Sequence, residues 1–306
     1  MICPACQGDN RAEAQFCFVC GAPMTELRRG QTVAGRYRIL APLAKGGMGT
    51  VFRAEDLVTG EQVALKLLAA DWARQKEMAR RFEDEMELAR KVRHRNVCRV
   101  VDCGADGVLR YIATEFIEGT DLKRLLQVNG CLPPAKAFDA SIQIARGLQA
   151  VHDAGIIHRD VKSPNIMVDR AGRYRLMDFD IAKRASSDTG PGEGGAVLGT
   201  PDYMSPEQAR GERLDFRSDI YSLGVVLYEI FTGDVPFHGE TSRAVILKHL
   251  EEAPALEGPV AAKIPAAALP ILRKALAKDR VRRYTRARGL VEALRLARAT
   301  AGIGVV

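Results

Sequence analysis

The chain has 306 residues, 47% hydrophobic and 27% charged; this balance excludes a disordered or fibrous chain and allows a sizeable core in about two domains. Its 45 Lys and Arg against 38 Asp and Glu leave a net charge of +7, too small to indicate nucleic acid, so no nucleic-acid partner is expected. No run is long and apolar enough to span a membrane, and Cys3 and Cys6 stand where a secretory leader needs an apolar core; the expected location is cytoplasmic.

Two C-x-x-C pairs, Cys3-Pro-Ala-Cys6 and Cys17-Phe-Val-Cys20, open the chain. Each forms a tight turn whose sulfurs converge, and two such turns supply four thiolates in a tetrahedron, which suits Zn²⁺. Two disulfides are the alternative, and a reducing cytosol disfavours them. The segment resembles the small zinc ribbons of many bacterial proteins. Residues 1–25 are too few to build a core alone, so the metal would supply the folding energy. A closed four-thiolate site leaves no open position for catalysis, which favours a structural or docking module.

Residues 26–36 read as a polar linker. Tyr37–Leu43, Gly49–Glu55 and Gln62–Leu68 follow as β-prone runs separated by turn residues. Residues 73–93 read as a charged helix, and Cys98–Cys103 and Leu109–Ile117 as two further strands. From about Asp121 helical patterns dominate; over 135–153, Phe138, Ile142, Ala145, Leu148 and Val151 recur every three or four residues. The run Leu223–Phe231 is apolar but short and carries Glu229. Residues 271–298 hold ten Lys or Arg against Asp279 and Glu292, read as a solvated face. Cys98, Cys103 and Cys131 read as small buried hydrophobes, His152, His238 and His249 as structural, and residues 299–306 as a tail.

The chemistry begins at Leu43-Ala44-Lys45-Gly46-Gly47-Met48-Gly49-Thr50-Val51, between two strands. A glycine-rich hairpin lets backbone N–H groups approach phosphates closely; alone it reads equally well as a tight turn. Lys66 lies in the apolar strand Val63-Ala64-Leu65-Lys66 and needs a partner; Glu85 on the following helix is the candidate. Then come His158-Arg159-Asp160-Val161-Lys162-Ser-Pro-Asn165, Asp178-Phe179-Asp180, Gly199-Thr200-Pro201 and Ser205-Pro206-Glu207. In this order and spacing the pieces are not chance.

Residues 37–298 resemble the eukaryotic-type (Hanks-type) protein Ser/Thr kinases, most closely their bacterial branch. The resemblance implies an α+β, two-lobed fold: a β-rich N-lobe (37–117) with one key helix, and a helical C-lobe (118–298). It implies an ATP-dependent enzyme phosphorylating Ser and Thr of protein substrates. Lys66 resembles the lysine on the α/β-phosphates, Glu85 its ion-pair partner, Asp160 the catalytic base and Lys162 the residue steadying the γ-phosphate. Asn165 and Asp178 resemble the Mg²⁺ ligands, with Mn²⁺ as an alternative metal. The 43–51 hairpin, Ala64 and the hinge residues Thr114, Glu115 and Ile117 would bind ATP. Glu207 and Arg283 resemble a buried ion pair, and Asp219 the residue bracing the catalytic loop. Arg159 beside Asp160 marks kinases switched on by phosphate on the activation segment, which here offers Ser186, Ser187 and Thr189. Autophosphorylation there would pass through a transient homodimer, and the ribbon would dock a partner.

Two positions depart from the family pattern. Ala44 replaces the first glycine of the hairpin, and Asp180 replaces the glycine of Asp-Phe-Gly. They support the rival expectation of a pseudokinase scaffold, which binds nucleotide and partners without efficient catalysis. Against it stand Lys66, Glu85, Asp160, Asn165 and Asp178.

Overall fold

Period-two patterning builds the smaller part of the molecule. In Gln62–Leu68, Val63, Leu65 and Leu67 are buried while Ala64, Lys66 and Leu68 are half-buried, so one face of the strand meets a core and the other stays open. The computed structural model describes residues 8–11, 17, 27–46, 49–68, 86–106, 109–178 and 201–303. The chain divides into two compact units: Met1–Lys91 with Cys98–Ile117, and Val92–Val97 with Glu118–Val306.

The first unit carries a six-stranded antiparallel sheet of β1 (Thr32–Val33), β2 (Tyr37–Gly46), β3 (Gly49–Asp56), β4 (Gln62–Leu68), β5 (Val100–Asp106) and β6 (Leu109–Glu115), in the order β1-β2-β3-β4-β6-β5. Tyr37, Ile39, Phe52, Ala54, Leu65, Tyr111 and Ala113 form its core. The segment 26–36, expected as a linker, contributes strand β1 instead. Val33 is fully buried and Leu27 and Ala34 pack on the same core. Arg36 then ties the segment down, donating to both oxygens of Asp56 at 2.8 and 2.7 Å and to Asp102 at 2.9 Å. Of the helix expected over 73–93, residues 86–91 are described and helical, with Met86 and Ala89 buried.

The second unit is organised by α2 (Pro134–Asp153) and α3 (Phe216–Thr232), after α1 (Leu122–Asn129). Phe138, Ile142, Ala145, Leu148 and Val151 of α2 are all buried, as their helical spacing demands. The short apolar run 223–231 lies inside α3, which is buried from Ser218 to Thr232. That burial explains why it is apolar on every side. The unit also holds α4 (Ser242–Glu251), α5 (Leu269–Ala275) and α6 (Ala287–Thr300), together with single helical turns at Pro206–Ala209 and Gly258–Ala261. A three-stranded antiparallel sheet, β7 (Gly119–Asp121), β8 (Ile166–Asp169) and β9 (Tyr174–Leu176), was not anticipated. It positions the candidate site residues: the loop 158–165 runs into β8, and Asp178 follows β9.

Among the described residues no helix is long and apolar enough to cross a membrane. The basic stretch 271–298 is a solvated face at Arg273, Lys274, Arg282, Arg286, Arg288 and Arg295. Lys278 and Arg283 depart from it. Lys278 is half-buried and donates to the carbonyls of Lys248 and His249 at the end of α4, at 3.0 and 2.9 Å, and Arg283 is buried. Cys98 is buried as expected, but Cys103 is half-buried and Cys131 exposed.

Candidate active site

In the first unit, antiparallel pairing sets the nucleotide-binding candidates on one face. Val51 pairs with Lys66, Lys66 with Ile112, and Ala64 with Thr114; paired residues share a face. Val51, Ala64, Lys66 and Thr114 are half-buried on the side opposite the core. Thr114 donates its hydroxyl to Ala64 O at 3.4 Å. Glu115 is locked against β5's approach: its backbone N–H donates to Arg99 O at 3.0 Å and its carboxylate accepts Arg99 N–H at 2.8 Å. Ile117 is buried.

The hairpin closes with Lys45 opposite Thr50 and Gly46 opposite Gly49; Gly47 and Met48 lie outside the described residues. Gly49 has φ of 141°, and a Cβ there would stand 1.9 Å from Leu67 O, so only glycine fits. Ala44 is an exposed strand residue opposite Val51. It is not among the described residues with positive φ, so the methyl that departs from the family pattern costs no backbone strain. Leu43 is also exposed. Glu85, Asp180, Ser186, Ser187, Thr189 and Thr200 lie outside the described residues, as do Cys3, Cys6 and Cys20.

In the second unit the loop 158–165 gathers its polar side chains around one carboxylate. Asp160 Oδ2 accepts Lys162 Nζ at 2.7 Å and Asn165 Nδ2 at 2.8 Å. The Asn165 amide also donates to Asp160 O at 3.0 Å. Both bonds are made by the amide nitrogen, which leaves Oδ1 as the acceptor of the side chain. Met177 N–H donates to Asn165 O at 2.8 Å, which ties the residue before Asp178 to the loop. Asp178 itself has φ of 47°.

The loop is held from behind by Asp219 near the start of α3. Its Oδ2 accepts His158 N–H and His152 Nε2, both at 2.8 Å, and its Oδ1 accepts Arg159 N–H at 2.8 Å. Burial pushes the Asp219 carboxyl up, but His152 and the backbone donors outweigh it and hold the group below the usual carboxylate range. His158 is fully buried, and that burial holds its pKa down despite nearby Asp219 and Asp160. The neutral ring donates Nε2–H to Met177 O at 2.9 Å, a strut between the loop and the segment leading from β9 to Asp178.

A second anchor is Glu207 with Arg283. The guanidinium donates Nη1 to Oε1 at 2.6 Å and Nη2 to Oε2 at 2.9 Å. Arg283 also donates to the carbonyls of Ala277, Arg217 and Lys278. Burial raises the Glu207 pKa, and the bidentate pairing with Arg283 overcomes it and lowers the group on balance. The adjacent Gln208 reaches back to Arg159 O at 2.8 Å.

Sequence reading missed one further support. Ser163 Oγ lies 2.9 Å from Tyr203 Oη, Tyr203 donates to Glu229 Oε2 at 2.7 Å, and Lys123 donates to Glu229 Oε1 at 2.8 Å. The acid that interrupts the apolar run of α3 is therefore paired on both oxygens. Only Ser163, beside Lys162, carried a local signal. His249 is structural as expected, with Nε2 on Asp202 O at 3.0 Å and Nδ1 on the Tyr221 hydroxyl at 3.0 Å. His238 pairs with Asp234 at the surface.

The second unit offers one carboxylate steered by a lysine and an amide, with the oxygens of Asn165 and Asp178 beside it in sequence; the first unit offers a lysine and a glycine hairpin. The protein kinase domain family matches residues 37–294. The chain is 39% identical over 259 residues to serine/threonine-protein kinase PrkC of Bacillus subtilis, covering 83% of this chain and 39% of that protein. It is 40% identical over 260 residues to serine/threonine-protein kinase PknB of Mycolicibacterium smegmatis, covering 83% of this chain and 41% of that protein. The chain thus spans about two fifths of the length of these curated relatives. Among solved structures, the Mycobacterium tuberculosis PknI kinase domain (C20A mutant) superposes with a TM-score of 0.69 at 26% identity, covering 89% of this chain and 99% of that one. The chain belongs to the protein kinase family, and its domain is of the bacterial serine/threonine type.

Proposed function

We propose that the protein transfers the γ-phosphate of Mg·ATP to Ser and Thr hydroxyls of protein substrates, its own activation segment included. The observation that carries this reading is Asp160, whose Oδ2 is held by both Lys162 and Asn165. Phosphoryl transfer asks the protein for positioning and charge neutralisation rather than covalent chemistry. Asp160 takes the proton of the substrate hydroxyl as its oxygen bonds the γ-phosphorus and the β–γ bridging oxygen departs with ADP. Lys162 holds Asp160 in place and puts a positive charge beside the transferring group. Lys66 supplies a cation for the α/β-phosphates, Glu85 pairs with it, and the 43–51 hairpin offers backbone N–H groups.

The donor set fits a hard divalent cation. Asn165 Oδ1 and the Asp178 carboxylate are oxygens of the kind Mg²⁺ takes alongside water and phosphate. Bound there, Mg²⁺ would neutralise phosphate charge. Mass-spectrometric mapping after incubation with Mg·ATP tests the whole reading. Phosphate at Ser186, Ser187 or Thr189, absent in Lys66→Met, supports it. An unmodified wild-type chain that still binds nucleotide would support a scaffold instead.

The N-terminal cysteines form a zinc ribbon in this reading, serving as a structural or docking module. The C-x-x-C spacing supports it, and so does Cys17, which is buried and accepts Asn10 Nδ2–H at 3.3 Å. Such an N–H···S bond suits a metal-bound thiolate. Among the described residues no group of three ligands assembles, and three of the four cysteines lie outside them. Metal analysis should find one zinc per chain, reduced in Cys17→Ser.

A further inference from the structure

The turn Pro201–Tyr203 is held through the Tyr203 side chain by Glu229 and Ser163, and through its backbone by a second set of groups. His249, near the end of α4, places Nε2 3.0 Å from Asp202 O and Nδ1 3.0 Å from the Tyr221 hydroxyl on α3. A carbonyl oxygen can only accept, so Nε2 carries the ring hydrogen. Nδ1 is then bare and takes the Tyr221 O–H. His249 and Tyr221 are fully buried. The Phe237 and Tyr221 rings stand T-shaped to the imidazole, with centroids at 4.8 and 5.7 Å, so packing and hydrogen bonds fix its orientation together.

Lys278, just past α5, completes the set. Its Nζ lies 3.3 Å from the Tyr221 oxygen and 3.0 and 2.9 Å from the carbonyls of Lys248 and His249. An ammonium has three hydrogens, and each of them here has an acceptor. The hydroxyl that gives its hydrogen to His249 thus receives one from Lys278. Burial pushes the Lys278 pKa down to about 8. Burial, with Lys278 adding to it, pushes that of His249 down to about 4. At neutral pH the lysine is charged and the imidazole is not, as these bond directions need.

The donors therefore run from Lys278 to Tyr221 to His249 and end on the backbone of the turn that carries Tyr203. Tyr203 Oη lies 2.9 Å from Ser163 Oγ. Ser163 follows Lys162, whose Nζ holds Asp160 Oδ2 at 2.7 Å. We propose that His249, in its Nε2–H form, is a positioning residue for phosphoryl transfer: by fixing Asp202 O it places Tyr203 and, through Ser163, the Lys162–Asp160 pair. The proposal rests on the kinase reading above. Loss of the bond loosens the turn while the candidate nucleotide residues of the first unit stay as they are, so it acts on kcat.

The test compares the full wild-type chain with H249Q, H249L and Y221F, assayed with Mg·ATP and a generic basic protein below the lowest of their melting temperatures. H249Q keeps an N–H near the place of Nε2, H249L keeps bulk without it, and Y221F removes the hydrogen that selects the tautomer. We expect kcat about tenfold lower in H249L, about threefold lower in Y221F and within about threefold of wild type in H249Q, with nucleotide KM unchanged throughout. The rate should follow the donor and not the melting temperature, which loss of the ring lowers in H249Q and H249L alike. Nitrogen NMR should find the His249 hydrogen on Nε2 in wild type, and the Tyr203 and Ser163 amide signals should move further in H249L than in H249Q. If a His249 variant does not fold, Y221F and the wild-type ring signals decide. Wild-type kcat in the folded variants, a loss in H249Q as large as in H249L, or a hydrogen on His249 Nδ1 would overturn the proposal. A wild type that binds nucleotide and transfers no phosphate would overturn the kinase reading, and this role of His249 with it.

Discussion

The Asp219 carboxylate accepts the backbone N–H of Arg159 at 2.8 Å, and Arg159 is one of three non-glycine described residues with positive φ, at 66°. That conformation costs of order 1–3 kcal/mol and persists only where neighbours over-determine it. Asp219 from behind and Gln208 on the Arg159 carbonyl do so, and Asp160 follows directly. Asp219→Asn turns an acceptor into a donor facing an N–H. We expect kcat to fall roughly tenfold to a hundredfold, a loss of about 1.4–2.8 kcal/mol in transition-state stabilisation, with nucleotide KM little changed. Steady-state kinetics beside a thermal melt would separate this from unfolding.

The two glycine-hairpin positions should respond oppositely. Gly49→Ala drives a methyl into Leu67 O at a φ of 141°. The first unit should lose about 1–3 kcal/mol and nucleotide KM should rise. Ala44→Gly relieves nothing, because Ala44 is exposed in ordinary strand geometry; stability and KM should stay within about 0.5 kcal/mol of wild type. A gain of activity in Ala44→Gly would contradict this.

Glu207 and Arg283 form a buried bidentate pair. Breaking it leaves an uncompensated buried charge, so Arg283→Ala should cost about 3–5 kcal/mol in urea unfolding. Arg283→Lys should not restore it, since an ammonium cannot make both parallel bonds or reach the three carbonyls at once.

Acid should destabilise the first unit through Asp56. Hydrogen bonds from Arg36 lower its pKa from 3.8 to about 2, against the opposing effect of burial. A depressed carboxylate stabilises the fold above its unfolded pKa and ceases to as pH falls through the folded one. The loss therefore falls between about pH 4 and 2, on the order of 2 kcal/mol. Asp56→Asn should be less stable at neutral pH and flatter across that window, which denaturant unfolding at several pH values would show.

What could be read from the sequence follows from how local each signal is. Strand β4 spans Gln62–Leu68 as expected, because alternation and flanking turns are contained in seven residues. The α2 face was legible from its helical spacing, and Asp160, Lys162 and Asn165 share one short loop. Strands β7 to β9 escaped because three or four residues cannot establish a period. Strand β1 escaped because it holds two residues in a polar segment. The Ser163–Tyr203–Glu229–Lys123 chain joins residues up to 106 positions apart, and no pattern within any of these segments announces it. Glu229 looked like an interruption of an apolar run; its meaning lies in Tyr203 and Lys123.

The central claim is that Asp160 serves as the base of a working phosphotransferase. Its most direct test is transfer of labelled γ-phosphate from Mg·ATP to the protein and to a generic basic protein, comparing wild type with Asp160→Asn, with nucleotide affinity measured on both. The account predicts label in wild type, a loss of a hundredfold or more in the variant, on the scale of about 10²–10⁴ for a general base, and nucleotide affinity within about twofold. Equal labelling of the two proteins, or none in a wild type that binds Mg·ATP, would contradict it.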